Sequence, residues 1–180
     1  MIKPQSGKIL INNLNYENAY TESTSYVTQD TILIDDSIKN NICLGIDNEK
    51  INNERLTFAL TTSCVSEFAA NMPEKENSFV GDRGIRISGG QKQRIGIARA
   101  IYNDFEILVL DEATSSLDYS TEKQIMTNIS NMKENKIILV ITHRLSALEF
   151  CDEVVLLEDG KIKEIGKIDQ IKNKHKEMFN

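Results

Sequence analysis

Short apolar runs at residues 107–110, 137–141 and 154–157 alternate with amphipathic stretches, and this alternation organises the C-terminal half of the chain. Continuous runs of Ile, Leu and Val predict strands covered on both faces, and the stretches between them, 121–132 and 146–150, carry helical periodicity. Strand, helix, strand, helix, strand is the pattern of an α/β protein with a parallel sheet, its last strand at 153–157. Glu158-Asp159-Gly160-Lys161 then reads as a hairpin turn into a strand at 161–165, and 168–178 as a polar closing helix. Toward the N-terminus, Lys8-Ile9-Leu10-Ile11 and Thr24-Ser25-Tyr26-Val27 read as strands, the second running directly into Thr28-Gln29-Asp30. The middle third reads as a helical insert: helices at 37–43 and 53–64, a breaker at Asn71-Met72-Pro73-Glu74, then Val80-Gly81-Asp82-Arg83-Gly84. Ser88 suits the N-cap of a helix at 89–102, and Gly89 and Gly90 allow another surface to approach its first turn closely.

Composition narrows this reading. With 180 residues and 40% hydrophobic content, the chain can bury one core. Twenty-seven acidic against 21 basic residues give a net charge of −6, which argues against a nucleic-acid partner. The apolar runs are far shorter than the roughly 20 residues that cross a bilayer as a helix, and the first residues do not form a signal peptide. Cys43, Cys64 and Cys151 stand apart with no ligand spacing, which predicts buried reduced thiols and a reducing compartment.

Two stretches carry chemistry. Asp111 and Glu112 end the apolar run Ile107-Leu108-Val109-Leu110, where open α/β sheets place their ligand crevice. One carboxylate there can hold Mg²⁺ and the other can polarise a water that attacks a phosphate; the plain alternative is a pair that caps the next helix. Ser88-Gly89-Gly90-Gln91 joins a hydroxyl, two residues without side chains and a helix N-terminus, a combination that suits phosphate or serves as a simple turn.

Taken whole, the run from Ile87 to Ala100, followed at short distance by Asp111 and Glu112, closely resembles the nucleotide-binding domain of ABC transporters over essentially the full chain. The resemblance implies an α/β, P-loop NTPase-like fold with a parallel core sheet and a helical signature subdomain at about 37–103, in a single partial ATPase domain. It implies ATP and Mg²⁺ as ligands. Ser88, Gly89, Gly90 and Gln91 match the signature motif; Asp111 matches the Walker B metal ligand and Glu112 the general base. Asp118, in Ser116-Leu117-Asp118, matches the D-loop, His143 the switch histidine, and Gln29 the Q-loop glutamine that reaches Mg²⁺ and the attacking water. A Gln after a strand is otherwise a solvated loop residue, and a lone His near a strand end a structural one.

Val80-Gly81-Asp82-Arg83-Gly84 is similar to the segment through which ABC exporters touch their transmembrane domains, with Asp82 where Glu is more common. The implied partners are a second ATPase domain in a head-to-tail dimer and transmembrane domains contacted through Gln29 and residues 80–84. The implied location is the cytoplasmic side of an inner or plasma membrane. No G-x-x-x-x-G-K-[ST] loop occurs in the 180 residues. Pro4-Gln5-Ser6-Gly7-Lys8-Ile9 matches the family's stretch after that loop, so the chain is expected to be N-terminally truncated and inactive alone, with apolar strand surface left uncovered. Other readings are a non-enzymatic module offering its signature to a complete partner domain, a gene remnant, or an ABC-type ATPase without a membrane partner.

Overall fold

The computed structural model describes residues 5–8, 10–11, 14–15, 23–132 and 136–175. Strands β3 (Thr24–Val27), β4 (Ile107–Asp111) and β5 (Ile137–Ile141) form a parallel sheet in the order β3-β4-β5. The register pairs Val27 with Leu110 and Asp111 with Ile141, so all three strands end at one sheet edge. β4 is central and buried on both faces as expected. β5 is not: Ile137, Leu139 and Ile141 are 51%, 52% and 51% exposed. It lies at the end of the sheet order, with one face uncovered among the described residues.

The expected fifth parallel element departs further. β6 (Val154–Glu158) pairs antiparallel with β7 (Lys161–Gly166) as a separate ribbon. The hairpin itself is the expected one: Asp159 and Gly160 both take left-handed φ, 49° and 73°, which closes a two-residue turn whose twist matches its strands. β1 (Leu10–Ile11) and β2 (Leu14–Asn15) make a minimal antiparallel pair. The strand expected at 8–11 therefore begins later, with Ile9 outside the described residues.

The helices are α1 (Ile38–Ile42), α2 (Asn53–Thr62), α3 (Val65–Ala69), α4 (Gly89–Tyr102), α5 (Tyr119–Ser130), α6 (Leu145–Leu148) and α7 (Ile168–Lys174). Ser37, Asn52, Ser88 and Asp118 each place a side-chain oxygen on a first-turn N–H of α1, α2, α4 and α5. The helix expected at 53–64 stops at Thr62. Ser63 turns its hydroxyl back to the Ala59 carbonyl at 2.7 Å, and Cys64, at φ 57°, restarts the chain as α3. α5 begins before the expected residue 121 because Asp118 caps it. α6 is shorter than the expected 146–150, and the expected end of α7 at 178 lies outside the described residues.

α4 is the axis of the core. Ile95, Ile97, Ala98, Ala100, Ile101 and Tyr102 are buried, with α1, α2 and α3 packed on the helix and β3 also against it. Cys43 and Cys64 lie in this core, where burial raises both thiols, Cys64 to about 11; Cys151 is only partly buried.

Residues 31–34, which follow Gln29, have no regular structure and are held by side chains. The fully buried Asn41 amide donates to the carbonyls of Ile34 and Ser37, both at 3.0 Å, and accepts from the Ile34 N–H at 2.9 Å. Arg99 donates to the carbonyls of Asn41 (2.8 Å) and Ile32 (3.1 Å). Asn41→Ala removes the acceptor of the Ile34 N–H and one donor each from the Ile34 and Ser37 carbonyls, and is expected to cost roughly 1–3 kcal/mol in urea unfolding. A loss under about 0.5 kcal/mol would contradict this account of how the segment is pinned.

Candidate functional site

The parallel register brings four of the residues singled out by sequence to the carboxyl edge of the sheet. Gln29 lies two residues past β3, Asp111 ends β4, Glu112 follows it, and His143 lies two residues past β5. The Glu112 N–H donates to the Ile141 carbonyl at 2.9 Å, which extends the β4–β5 ladder by one bond. Glu112 itself adopts φ 49°, a conformation a non-glycine residue holds at a cost of about 1–2 kcal/mol. That twist carries its carboxylate to His143, Oε1 lying 3.2 Å from Nε2. The imidazole is 90% exposed, so one of its faces is open to solvent or to a ligand.

Asp111 is half-buried, and its Oδ2 accepts a short bond, 2.5 Å, from the Tyr26 hydroxyl. This bond to the carboxylate holds the phenol above its ordinary range, with desolvation adding to it, so Tyr26 remains a donor. Among the described residues no group of three or more His, Cys, Asp and Glu side chains is arranged to hold a metal ion. The donor set still suits Mg²⁺, which takes one or two carboxylates and completes its shell with water and phosphate oxygens.

The second cluster is built on the start of α4. Ser88 and Gln91 form a reciprocal capping box: the Gln91 N–H donates to Ser88 Oγ (3.2 Å) and the Ser88 N–H to Gln91 Oε1 (2.9 Å). Ser88 and Gly89 are exposed, and Gly90 lies against the turn at 115–118. A Cβ on Gly90 would meet the Ser116 carbonyl oxygen at 2.9 Å, so only glycine permits this approach. Asp118 acts here as a helix cap. Its carboxyl is held well below the ordinary range first by the Ser120 hydroxyl (2.5 Å) and then by the Thr121 N–H (3.0 Å).

Sequence reasoning passed over three residues that hold these loops together. Glu122, fully buried in the first turns of α5, accepts from Thr114 Oγ1 at 2.7 Å and from the Ser146 hydroxyl. Arg144, next to His143, lies 3.3 Å from Glu122 and donates to the carbonyls of Thr114 (2.7 Å) and Leu117 (2.9 Å). One guanidinium thus joins the turn before Asp118 to the loop that carries His143. Gln93, buried in α4, reaches the same turn from the other side. Charged residues adjacent to a histidine or inside a helix read as solvated in sequence; only the fold shows their burial.

Comparison with known proteins adds the following. A family model described as ABC transporter matches residues 1–115. The ATP-dependent lipid A-core flippase of Cupriavidus pinatubonensis is 40% identical over 148 residues, 82% of this chain and 25% of that protein. ABC transporter B family member 6 of Dictyostelium discoideum is 40% identical over 164 residues, 89% of this chain and 24% of that protein. A solved structure of a bacterial Atm1-family ABC exporter with ATP bound superposes with a TM-score of 0.89 at 29% identity, over 98% of this chain and 32% of its own. The chain spans about a quarter of the length of the curated relatives it matches.

Removing the cation from a buried pair leaves an uncompensated charge. Arg144→Met is expected to cost roughly 2–4 kcal/mol, the upper range being discounted because a third of the arginine side chain is exposed. Adding Glu122→Gln is expected to recover part of that loss in a double-mutant cycle on urea melts; strictly additive costs would dissolve the pairing.

Proposed function

The chain belongs to the ABC transporter family, with the features of a nucleotide-binding domain of exporter type, and from that membership we propose that it serves ATP hydrolysis coupled to export across a membrane. The observation that carries this reading is the convergence of Gln29, Asp111, Glu112 and His143 on one sheet edge, with Glu112 and His143 in contact. Glu112 is the general base, accepting a proton at its carboxylate from the attacking water, and His143 orients that carboxylate through Nε2. Asp111 and Gln29 supply oxygen ligands toward Mg²⁺. When bound, the metal neutralises charge on the phosphates. The Tyr26 hydroxyl, donating to Asp111 Oδ2, would help to orient the carboxylate that holds the metal.

Ser88, Gly89, Gly90 and Gln91, with Asp118, face the nucleotide of a second ATPase domain in a head-to-tail dimer. The exposed start of a 14-residue helix, with a hydroxyl and two glycines, supports this assignment. The 180 residues contain no G-x-x-x-x-G-K-[ST] loop, so the chain alone binds ATP weakly and does not turn it over. The half-exposed apolar face of β5 supports a core completed by a further element packed on that face. The unit is one partial ATPase domain whose helical part spans about 37–103.

Contact with transmembrane domains runs through the segments after Gln29 and at 80–84. The Val80 N–H donates to the Asp36 carbonyl at 3.0 Å, which lays these segments together; Ile32 and Ile34 on the first, and Phe79 and Ile85 flanking the second, are 79%, 45%, 52% and 81% exposed. Four large apolar side chains facing out suit an apolar protein partner. The chain then lies at the cytoplasmic face of the membrane through that partner. The flippase relative supports a lipid-linked cargo for the whole transporter.

In the whole transporter, Glu112→Gln is expected to lower ATP turnover by roughly 10²–10⁴-fold while fluorescent-nucleotide binding persists. Turnover at the wild-type rate would remove Glu112 as base, and metal-dependent ATPase activity of the 180 residues alone, abolished by the same substitution, would overturn the assignment of an incomplete site. Ile85→Glu, at an exposed position, is expected to leave the melting temperature of the domain within about 2 °C and to weaken co-purification with the transmembrane part. Undiminished co-purification places the contact elsewhere.

A further inference from the structure

We propose that Gln93 is a positioning residue that ties the loop carrying Gln29 to the turn that leads into Asp118. Gln93 lies in the second turn of α4 and is 3% exposed. Its Nε2 donates to the Gln29 carbonyl at 3.3 Å and to Ser115 Oγ at 2.9 Å, and its Oε1 accepts from the Ser116 N–H at 2.8 Å. The orientation of the amide is fixed by chemistry, because a backbone N–H only donates and the group facing Ser116 must be the oxygen. Both amide hydrogens and the carbonyl are then engaged, on two segments that lie 64 and 22–23 residues from Gln93 in sequence.

A primary amide is the side-chain end that offers two donors and an acceptor in one plane; glutamate lacks the donors and lysine the acceptor. The turn it grips is held on three sides. Gly90 packs against the Ser116 carbonyl, Arg144 takes the carbonyls of Thr114 and Leu117, and Gln93 takes the N–H of Ser116 and the Ser115 hydroxyl. The Gln29 carbonyl, by contrast, lies in an exposed loop, where the Thr28 hydroxyl donates to the Asp30 carbonyl at 2.9 Å. A displacement of that loop therefore reaches Ser115 and Ser116 through one buried side chain and arrives two residues before Asp118. In function, Gln93 makes the orientation of Asp118 depend on the position of Gln29. This role rests on the ATPase reading of those two residues; the link itself does not.

The test uses amide NMR on the ¹⁵N-labelled 180-residue chain. Thr28→Ala, which frees the Asp30 carbonyl beside Gln29, is expected to shift the Ser115 and Ser116 amide resonances when Gln93 is intact, and to leave them in place in a Gln93→Met background. Exchange of the Ser116 amide is expected to quicken roughly five- to tenfold in Gln93→Met and to remain slow in Gln93→Glu, whose carboxylate still accepts its hydrogen. The link is overturned if the Thr28→Ala shifts persist in Gln93→Met. It is also overturned if Ser116 of the unsubstituted chain exchanges as fast as an unprotected amide while the amides of the buried strand β4 stay protected, a result that needs no variant to fold. Failure of the ATPase reading appears in turnover of the Glu112 variant and leaves these shifts untouched; failure of the link appears here and leaves that turnover unaffected.

Discussion

The pairing of β4 with its two parallel neighbours is the constraint on which the candidate site depends. Val27 opposite Leu110 and Asp111 opposite Ile141 fix how far each strand extends, and so bring Gln29, Glu112 and His143 out at the same level. A slip of one residue would turn every side chain of β4 to the opposite face, forcing its neighbours to repack and moving Asp111 from its level at the sheet edge. Burial of Ile107, Leu108, Val109 and Leu110 therefore does two things at once. It holds the core together and sets the position of the carboxylates that follow.

α4 makes the second half of the site answer to the same core. Its body is buried among α1, α2, α3 and β3, while its first turn is exposed and reciprocally capped. Ser25 Oγ donates to the Ala100 carbonyl at 3.0 Å, so helix and sheet are also joined by a polar bond near the helix C-terminus. A helix fixed along its length cannot move its first turn independently. The Ser88–Gln91 end and the strand ends are thus parts of one packed body, and the turn at 114–117 lies between Gln93 and Arg144 as the piece shared by both clusters.

How much of this was legible in the sequence follows from the range of the interactions. β3, β5 and α4 come out at the expected residues because their signals are local: a short β-prone stretch, an unbroken apolar run, or a capping box three residues apart. The break at Cys64 was not legible, since no glycine or proline marks it and a non-glycine residue takes the left-handed conformation. The Asp159-Gly160 hairpin between β6 and β7 was legible in its turn residues, whereas the separation of β6 from the parallel sheet was not, because an apolar run does not name the strand that it pairs with. The carboxylates and His143 were found because their motif spacing is short. Gln93 and the Glu122–Arg144 pair were not, because their meaning lies in bonds to residues 22 to 64 positions away that composition cannot announce.

Strain at Glu112 is held in place by the bonds that fix the neighbouring turn. A left-handed glutamate at the end of a buried strand is disfavoured by its own backbone, and it persists because its neighbours over-determine it. Its N–H is committed to Ile141 and its carbonyl accepts from the Ser115 N–H at 3.1 Å. Ser115 is in turn held by Gln93, and the residues around it by Arg144. The same bonds that fix the turn before Asp118 therefore also maintain the conformation that points the Glu112 carboxylate at His143. A change in the turn is felt at Glu112 through one hydrogen bond, so the two clusters of the site share a single backbone conformation.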